Sequence, residues 1–388
     1  MSKGRIKIGI FAYSLLAMGA IGLNSVLSDM ADYFHVSDTT IALIASIPCI
    51  VIIVVTLFLG KVLEHISQKR VGIFGALCFL VGGLLPLVLD NLILIFICRA
   101  VTGIGIAISQ VFMASLNAEF FEEEERPPVQ GLASAAQTAG MIIMCLCSGF
   151  LATISWRACF LVHLVGLLGL LAMIFCIPDR KPAKKQPEEH KEKSHLNIRT
   201  FGWFLLMFFI FLIILIYANN LSFLLVEKGI GTAADTGLAL SVYAFGGLLT
   251  GLIYGKIDRF LGTWKLPLSM FLLAAMFFIT TLAQSMPVIY IGGFIGGVGL
   301  SLFFPQIILY TGLSVEPAVI PVAVSLLTCF QNLGQILCPY AINPLATMLS
   351  NESNVQQIKM YIGMAAFLIL AVILLFYSVR RTRRERAV

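Results

Sequence analysis

Long apolar runs separated by short polar breaks dominate the chain. A bilayer core about 30 Å thick takes about 20 helical residues per crossing, so each run of that length reads as one membrane span. Twelve fit, at about residues 7–28, 38–60, 71–89, 92–117, 129–153, 157–177, 202–224, 236–255, 266–284, 288–311, 319–347 and 358–379. Inside hydrocarbon each backbone N–H and C=O has to be satisfied within its own segment, which predicts helices. One polar stretch is much longer than the other breaks: residues 179–200, DRKPAKKQPEEHKEKSHLNIRT, densely charged and carrying two prolines. That composition makes a flexible connector. It divides the chain into residues 1–178 with six spans, the linker 179–200, and residues 201–388 with six more spans and a basic tail.

The two halves resemble each other. A shift of 194 residues lays Gly103-x-Gly105 on Gly297-x-Gly299, Gln137-x-x-Gly140 on Gln331-x-x-Gly334, and Leu151-Ala152-Thr153 on Leu345-Ala346-Thr347. Internal repeats of this kind characterise secondary transporters, whose substrate site lies between the repeats. The expected fold is an all-α integral membrane protein of 12 transmembrane helices in two pseudo-symmetric six-helix bundles.

Charge sets the expected orientation. With both termini cytoplasmic, 22 of the 26 Lys and Arg fall inside, three (Arg157, Lys228, Lys359) fall outside, and Arg99 lies within a span. Cytoplasmic loops collect Lys and Arg, so this asymmetry predicts both termini inside and an even number of crossings. The first apolar run is too long for a cleaved signal and reads as a retained span. Short loops and the lack of a targeting extension fit a prokaryotic cytoplasmic membrane. Composition agrees: 59% apolar and 12% charged residues, with a mean hydropathy of +0.96, exclude a soluble enzyme or a disordered chain. The net charge of +6 sits in loops and tails that topology already explains, so no nucleic-acid partner is expected. All nine cysteines lie in apolar runs and read as small packing residues. Cys145 and Cys147, two apart on a helix, point to different faces, and neither a metal nor a cofactor is expected.

Between spans 2 and 3 stands Gly60-Lys-Val-Leu-Glu64-His-Ile-Ser67-Gln-Lys69-Arg70. It resembles the G-x-L-a-D-r-x-G-r-k motif of the major facilitator superfamily, with Glu for Asp and Ser for the second Gly, and the resemblance to that family covers almost the whole chain. A weaker copy, Gly255-Lys-Ile-Asp258-Arg259-Phe-Leu-Gly262, lies between spans 8 and 9. Span 4 carries Arg99-Ala-Val-Thr102-Gly103-Ile-Gly105, similar to R-x-x-q-G-x-g, and Trp156-Arg157 opens span 6 in the family's manner. The resemblance implies a 12-helix secondary transporter working by alternating access. It also implies a cytoplasmic latch at Glu64, Arg70, Asp258 and Arg259. Physically, Gly60 can let the chain turn tightly after span 2, and Glu64 can pair with Lys69, Arg70 and Arg126; the alternative is that these residues only set topology.

Ionisable groups inside hydrocarbon are functional candidates because they cost about 2.5–3.5 kcal/mol to insert. Arg99 offers a fork for a substrate carboxylate or phosphate, or braces neighbouring helices through backbone carbonyls. The resemblance adds a role in proton transfer. His163, at similar depth in span 6, can titrate near neutral pH or serve as a packed residue, and Asp29 near the end of span 1 is a third proton-coupling candidate. The family's cavity-lining spans 1, 4, 7 and 10, carried onto this chain, supply Tyr13, Asn24, Arg99, Gln110, Tyr217, Asn219, Asn220, Gln306 and Tyr310, along with Phe303. Gln137, Gln331 and Asn332 on spans 5 and 11 join them, although amides in a bundle also glue helices together.

The middle third of every span lacks Asp and Glu, and span 5 reads MCLCSG at Met144–Gly149 where family antiporters carry G-P-x-x-G-G. These features favour secondary active or facilitative movement of a small anionic organic solute. The alternative is proton-coupled efflux of amphipathic compounds past an aromatic wall of Phe208, Phe209, Phe211, Phe303 and Phe304. A receptor or intramembrane enzyme is disfavoured, since the chain offers no catalytic constellation and no output domain. The expected partners are a small-molecule substrate, a proton and the lipid bilayer, with the protein acting as a monomer.

Overall fold

The computed structural model describes residues 2–19, 21–180, 197–316, 320–350 and 354–386. Most of the expected linker (181–196) and the side chains of the basic tail from Arg380 onward lie outside the described residues. No strand occurs among the described residues. Twelve helical segments are long and apolar enough to cross a membrane. Spans 1 to 6 are Lys3–Phe34, Asp38–Leu63, Gln68–Val88, Leu92–Phe120, Pro128–Ala152 and Arg157–Cys176. Spans 7 to 12 are Thr200–Lys228, Ala233–Ile257, Lys265–Leu282, Met286–Leu313, Val322–Leu349 and Val355–Val379. By internal contacts the chain forms two compact units, Met1–Glu192 and Lys193–Val388.

Local chemistry marks the ends of these helices. Asn91 accepts from the backbone N–H groups of Ile93 and Leu94 (2.9 and 3.2 Å) at the start of span 4, and Ser37 accepts from Thr40 (3.3 Å) at the start of span 2. Asp235 accepts from the Thr232 N–H (2.8 Å) to open span 8. Span 1 stops at His35, whose φ of 51° is left-handed, and span 7 stops at Gly229, with φ of 64°. Span 1 therefore continues six residues past the apolar run, and Asp29 and Asp32 lie on helix. Its middle is wound more tightly than an α-helix, as 3-10 turns over Leu15–Met18 and Ile21–Val26. Apolar spacing carries no signal for that change, because the same residues are buried in either winding.

Each unit packs its six spans in the same way. In the first, span 4 lies against spans 2 and 3, span 5 against span 1, and span 6 against spans 1 and 3. In the second, span 10 lies against spans 8 and 9, span 11 against span 7, and span 12 against spans 7 and 9. The glycines that register at a shift of 194 make corresponding contacts. A Cβ on Gly103 would stand 3.0 Å from Pro48 of span 2, and one on Gly297 would stand 1.9 Å from the Tyr243 carbonyl of span 8. A Cβ on Gly105 would meet the Gly75 carbonyl of span 3 at 2.5 Å; one on Gly299 would meet the Ser269 carbonyl of span 9 at 3.0 Å. On Gly140 it would meet Leu15 of span 1 at 2.4 Å, and on Gly334 Phe208 of span 7 at 2.3 Å. Small residues bring membrane helices together where lipid leaves little hydrophobic drive between them. The repeat read from sequence is thus a repeat of helix contacts.

Candidate functional site

In the first unit Arg99 meets His163 in one place, and Tyr13 and Gln110 join spans 1, 3 and 4 in another. Arg99 is fully enclosed, at 0% exposure. Its Nε donates to the Ile44 carbonyl (2.9 Å), so spans 2 and 4 are joined through the guanidinium, and a terminal nitrogen stands 3.4 Å from His163 Nε2 on span 6. The other imidazole nitrogen, Nδ1, lies 3.0 Å from the Phe160 carbonyl. A carbonyl only accepts, so Nδ1 carries the hydrogen and Nε2 presents a lone pair to Arg99. Span 3 closes the pocket: a Cβ on Gly83 would stand 2.2 Å from the imidazole, and the Phe79 ring lies 5.1 Å from it. Arg99 and His163, expected at similar depth, meet, and the described contacts are those of the helix-bracing alternative.

The second place joins spans 1 and 4. Ser109 donates to the Tyr13 carbonyl (2.8 Å) and Gln110 donates to the Ala17 carbonyl (3.2 Å) at the 3-10 segment of span 1. The Tyr13 hydroxyl reaches the Gly72 carbonyl of span 3 (3.0 Å). Asn24 is buried, Gln137 is half-buried, and Asp29 is half-buried with Ser28 Oγ at 3.5 Å.

In the second unit the candidates make separate contacts. Asn220, bonded to the Ile216 carbonyl of its own helix (3.0 Å), accepts from Lys359 of span 12 (3.0 Å). Gln306 accepts from the Tyr254 hydroxyl (3.3 Å), whose oxygen lies 3.5 Å from Lys265 Nζ. Tyr217 is enclosed by the Tyr243 and Phe277 rings, and its hydroxyl has no hydrogen-bond partner among the described residues. Tyr310 packs on Trp203 (5.2 Å), Asn332 bonds back to Thr328 of its own helix (2.9 Å), Asn219 is buried, and Gln331 is half-buried. Of the expected aromatic wall, Phe303 is buried, Phe211 packs 6.3 Å from Phe304, Phe208 closes on Gly334, and Phe209 is exposed.

Two lysines near span ends, counted from sequence among the charges outside the membrane, are instead buried against neighbouring helices. Lys359 is 1% exposed and Lys265 is 2% exposed. The available signal was helical spacing: Lys359 shares a face with Gly363 and Phe367, and Lys265 shares one with Ser269 and Leu273, all buried. Run-counting missed it because a terminal lysine ends an apolar run wherever its side chain points.

The expected latch differs from the contacts observed. Gly60 lies inside the helix Leu43–Leu63, outside the left-handed region, and a Cβ there would meet nothing within 4 Å, so the chain turns after it without needing a glycine. Glu64 is exposed and forms no ion pair among the described residues. Its expected partners are engaged elsewhere. Lys69 donates to the Ile174 carbonyl (2.6 Å), Arg70 pairs with Asp179 (3.5 Å), and Arg126 donates to the Phe121 and Ala118 carbonyls (both 3.1 Å). Two of the three cations thus sit on carbonyls near helix ends, and the third takes a different carboxylate. The Asp258 side chain lies outside the described residues, and Arg259 is exposed. At the other end of this unit Arg157 pairs with Asp90, donates to the Tyr33 hydroxyl (2.9 Å) and covers the Trp156 ring (4.6 Å).

Comparison with known proteins agrees with this architecture. The chain is 27% identical over 325 residues to Multidrug resistance protein 1 of Bacillus subtilis (strain 168), covering 80% of this chain and 82% of that protein. The fold matches a crystal structure of the peptide transporter POT in complex with sulfate with a TM-score of 0.76 at 13% identity, over 97% of this chain and 94% of that one. It matches the nucleoside transporter NupG with a TM-score of 0.78 at 14% identity, over 96% and 98%. The family model for the Major Facilitator Superfamily matches residues 9–234 and 219–388. With twelve apolar helices, two matching six-span units and nearly complete coverage by that model, the chain belongs to the major facilitator superfamily and is a membrane transporter, not an enzyme.

Proposed function

We propose that the transported solute is a small amphipathic organic compound and that the protein exports it by alternating access in exchange for protons. The observation that carries this reading is the enclosure of Arg99. Its guanidinium, the group expected to hold an anion, is fully buried and joined to Ile44 and His163 within its own unit. The half-buried Tyr243, Trp203 and Phe304 rings, packed beside Tyr217, Tyr310 and Phe211, offer the polarisable surface that amphipathic compounds favour. The likeness to a multidrug resistance protein supports the same reading. In this account Asp29, half-buried on span 1, is the carboxylate that exchanges a proton for the solute, and both termini face the cytoplasm.

A second reading, uptake of a small anion, is favoured by the same buried guanidinium if a carboxylate replaces the Ile44 carbonyl on Arg99. Purified protein in liposomes under an imposed pH gradient separates the two. We expect a fluorescent lipophilic cation to move against the proton flow, benzoate to stay put, and Asp29→Asn to abolish the coupling. Benzoate movement that Arg99→Ala abolishes, with no movement of the cation, would refute the export reading.

A further inference from the structure

We propose that Lys265 and Tyr254 are positioning residues that fix which way the Gln306 amide faces, so that Gln306 reads a hydrogen-bond acceptor on the solute, such as a carbonyl or ether oxygen. The proposal rests on the reading above that span 10 meets the solute, and it adds a chemical class of recognised group.

Three helices contribute one residue each: Lys265 opens span 9, Tyr254 lies near the end of span 8, and Gln306 lies within span 10. Lys265 Nζ stands 3.5 Å from the Tyr254 oxygen, which stands 3.3 Å from Gln306 Oε1. An ammonium has hydrogens to give and no lone pair to receive with, so the tyrosine oxygen is the acceptor in that contact. Its single hydrogen is then directed at Gln306 Oε1. The ammonium also lies 5.2 Å from the centre of the Tyr254 ring, which holds the ring in place.

The consequence falls on the far end of the amide. A free glutamine side chain can rotate to offer either its oxygen or its nitrogen, and it discriminates poorly between donors and acceptors. With Oε1 held toward Tyr254, the end of the amide turned to the opposite side is Nε2 with its two hydrogens, which donates to no protein group among the described residues. Gln306 is 3% exposed, so a solute oxygen meeting that nitrogen would bond away from bulk water. A solute bringing a donor to the same place would leave two donors facing each other, and both would lack a partner. No single residue on span 10 predicts this preference, because the polarity is set two hydrogen bonds away, on span 9.

Two measurements test the proposal. The first uses tetraphenylphosphonium, which has no hydrogen-bonding group, and its 4-acetylphenyl analogue, which adds one carbonyl, as probes of the purified protein in nanodiscs. The wild type should bind the acetyl probe roughly three- to tenfold more tightly, the ratio one neutral hydrogen bond supports. Tyr254→Phe and Lys265→Met should each remove most of that ratio while leaving tetraphenylphosphonium affinity unchanged, and Gln306→Leu should abolish the ratio. A purely structural role would lower both affinities together. An acetyl preference that survives Tyr254→Phe, or two probes bound equally by the wild type, would overturn the proposal.

The second measurement needs no solute: a thermal double-variant cycle between Tyr254→Phe and Gln306→Leu. The double variant should lose no more than the larger single loss, and additive losses would overturn the relay. If the wild type binds neither probe, the amphipathic reading fails, and the relay is decided by this cycle alone.

Discussion

Adding one methyl group to Gly297 should separate spans 8 and 10. A Cβ at that position would lie 1.9 Å from the Tyr243 carbonyl oxygen and 2.9 Å from the Gly247 nitrogen, where real Cβ contacts are essentially never closer than 3.0 Å. Relief requires the contact to open by at least 1.1 Å, from 1.9 to 3.0 Å, and both obstacles are backbone, which cannot rotate aside. Overpacking typically costs about 1–3 kcal/mol, and a contact against backbone belongs at the top of that range. Alanine returns about 1 kcal/mol through its better helix propensity, which leaves a net loss of about 2 kcal/mol. At roughly 2–4 °C per kcal/mol for a unit of this size, Gly297→Ala should melt about 4–8 °C below wild type.

Gly103→Ala, the equivalent position in the first unit, faces contacts of 3.0 to 3.1 Å and should lose less. Gly60→Ala meets nothing within 4 Å and should match or exceed the wild type, by up to about 1 kcal/mol. Tryptophan fluorescence of the detergent-purified protein during heating gives the three midpoints. If Gly297→Ala melts with or above Gly60→Ala, close approach of spans 8 and 10 at that glycine does not support the second unit.

Adjacent residues at the end of span 7 close two helix termini of opposite polarity. Glu227 accepts from the Gln356 and Gln357 N–H groups (2.9 and 3.4 Å), and Lys228 donates to the Thr280, Thr281 and Ala283 carbonyls. Each single neutralisation should cost about 0.5–2 kcal/mol, and exchanging the pair, which puts each charge at the wrong helix end, should cost more than either; a neutral exchange would contradict the assignment. Arg99→Leu leaves the Ile44 carbonyl without its guanidinium donor, at a cost of about 1–3 kcal/mol, and Arg99→Lys should restore little because an ammonium lacks the fork. Thermal unfolding should show His163→Leu to be non-additive with Arg99→Leu, and additivity would mean that the two do not act together.

At the exposed Lys3–Glu125 pair, the hydrogen bond from Lys3 holds the Glu125 carboxyl below its usual range. A depressed folded pKa contributes stability above the unfolded value of about 4.3, and that contribution is lost as pH falls through the folded value. The Tm difference between wild type and Lys3→Met should therefore be present at pH 7 and shrink progressively as the pH is taken below about 4.3. A difference that acidification leaves unchanged would show that Lys3 acts through something other than the pair.

The number of spans, their helical nature and the six-plus-six repeat were legible in the chain because each follows from a local rule. Hydrocarbon sets the length of an apolar run, backbone satisfaction demands helix, and small residues mark close approach. Depth was legible too, since Arg99 and His163 meet where their positions along spans 4 and 6 put them at one level. Direction around a helix was harder to read. Lys265 and Lys359 lie at span ends, where a lysine ordinarily reaches water, and only the neighbouring helices show that these two point inward. The latch differed from expectation for a related reason: spacing makes Glu64 available to three cations, but those cations also lie near helix-end carbonyls and Asp179, which are brought close by spans distant in sequence.

Apolar runs and the small residues that register between the halves thus suffice to specify twelve helices and a duplicated plan, because hydrocarbon imposes the same demand on every residue of a span. Which polar atom faces which is settled by packing between helices. Its bonds, such as Arg99 to Ile44, Lys359 to Asn220 and Lys265 to Tyr254, run between side chains and segments that no local pattern relates.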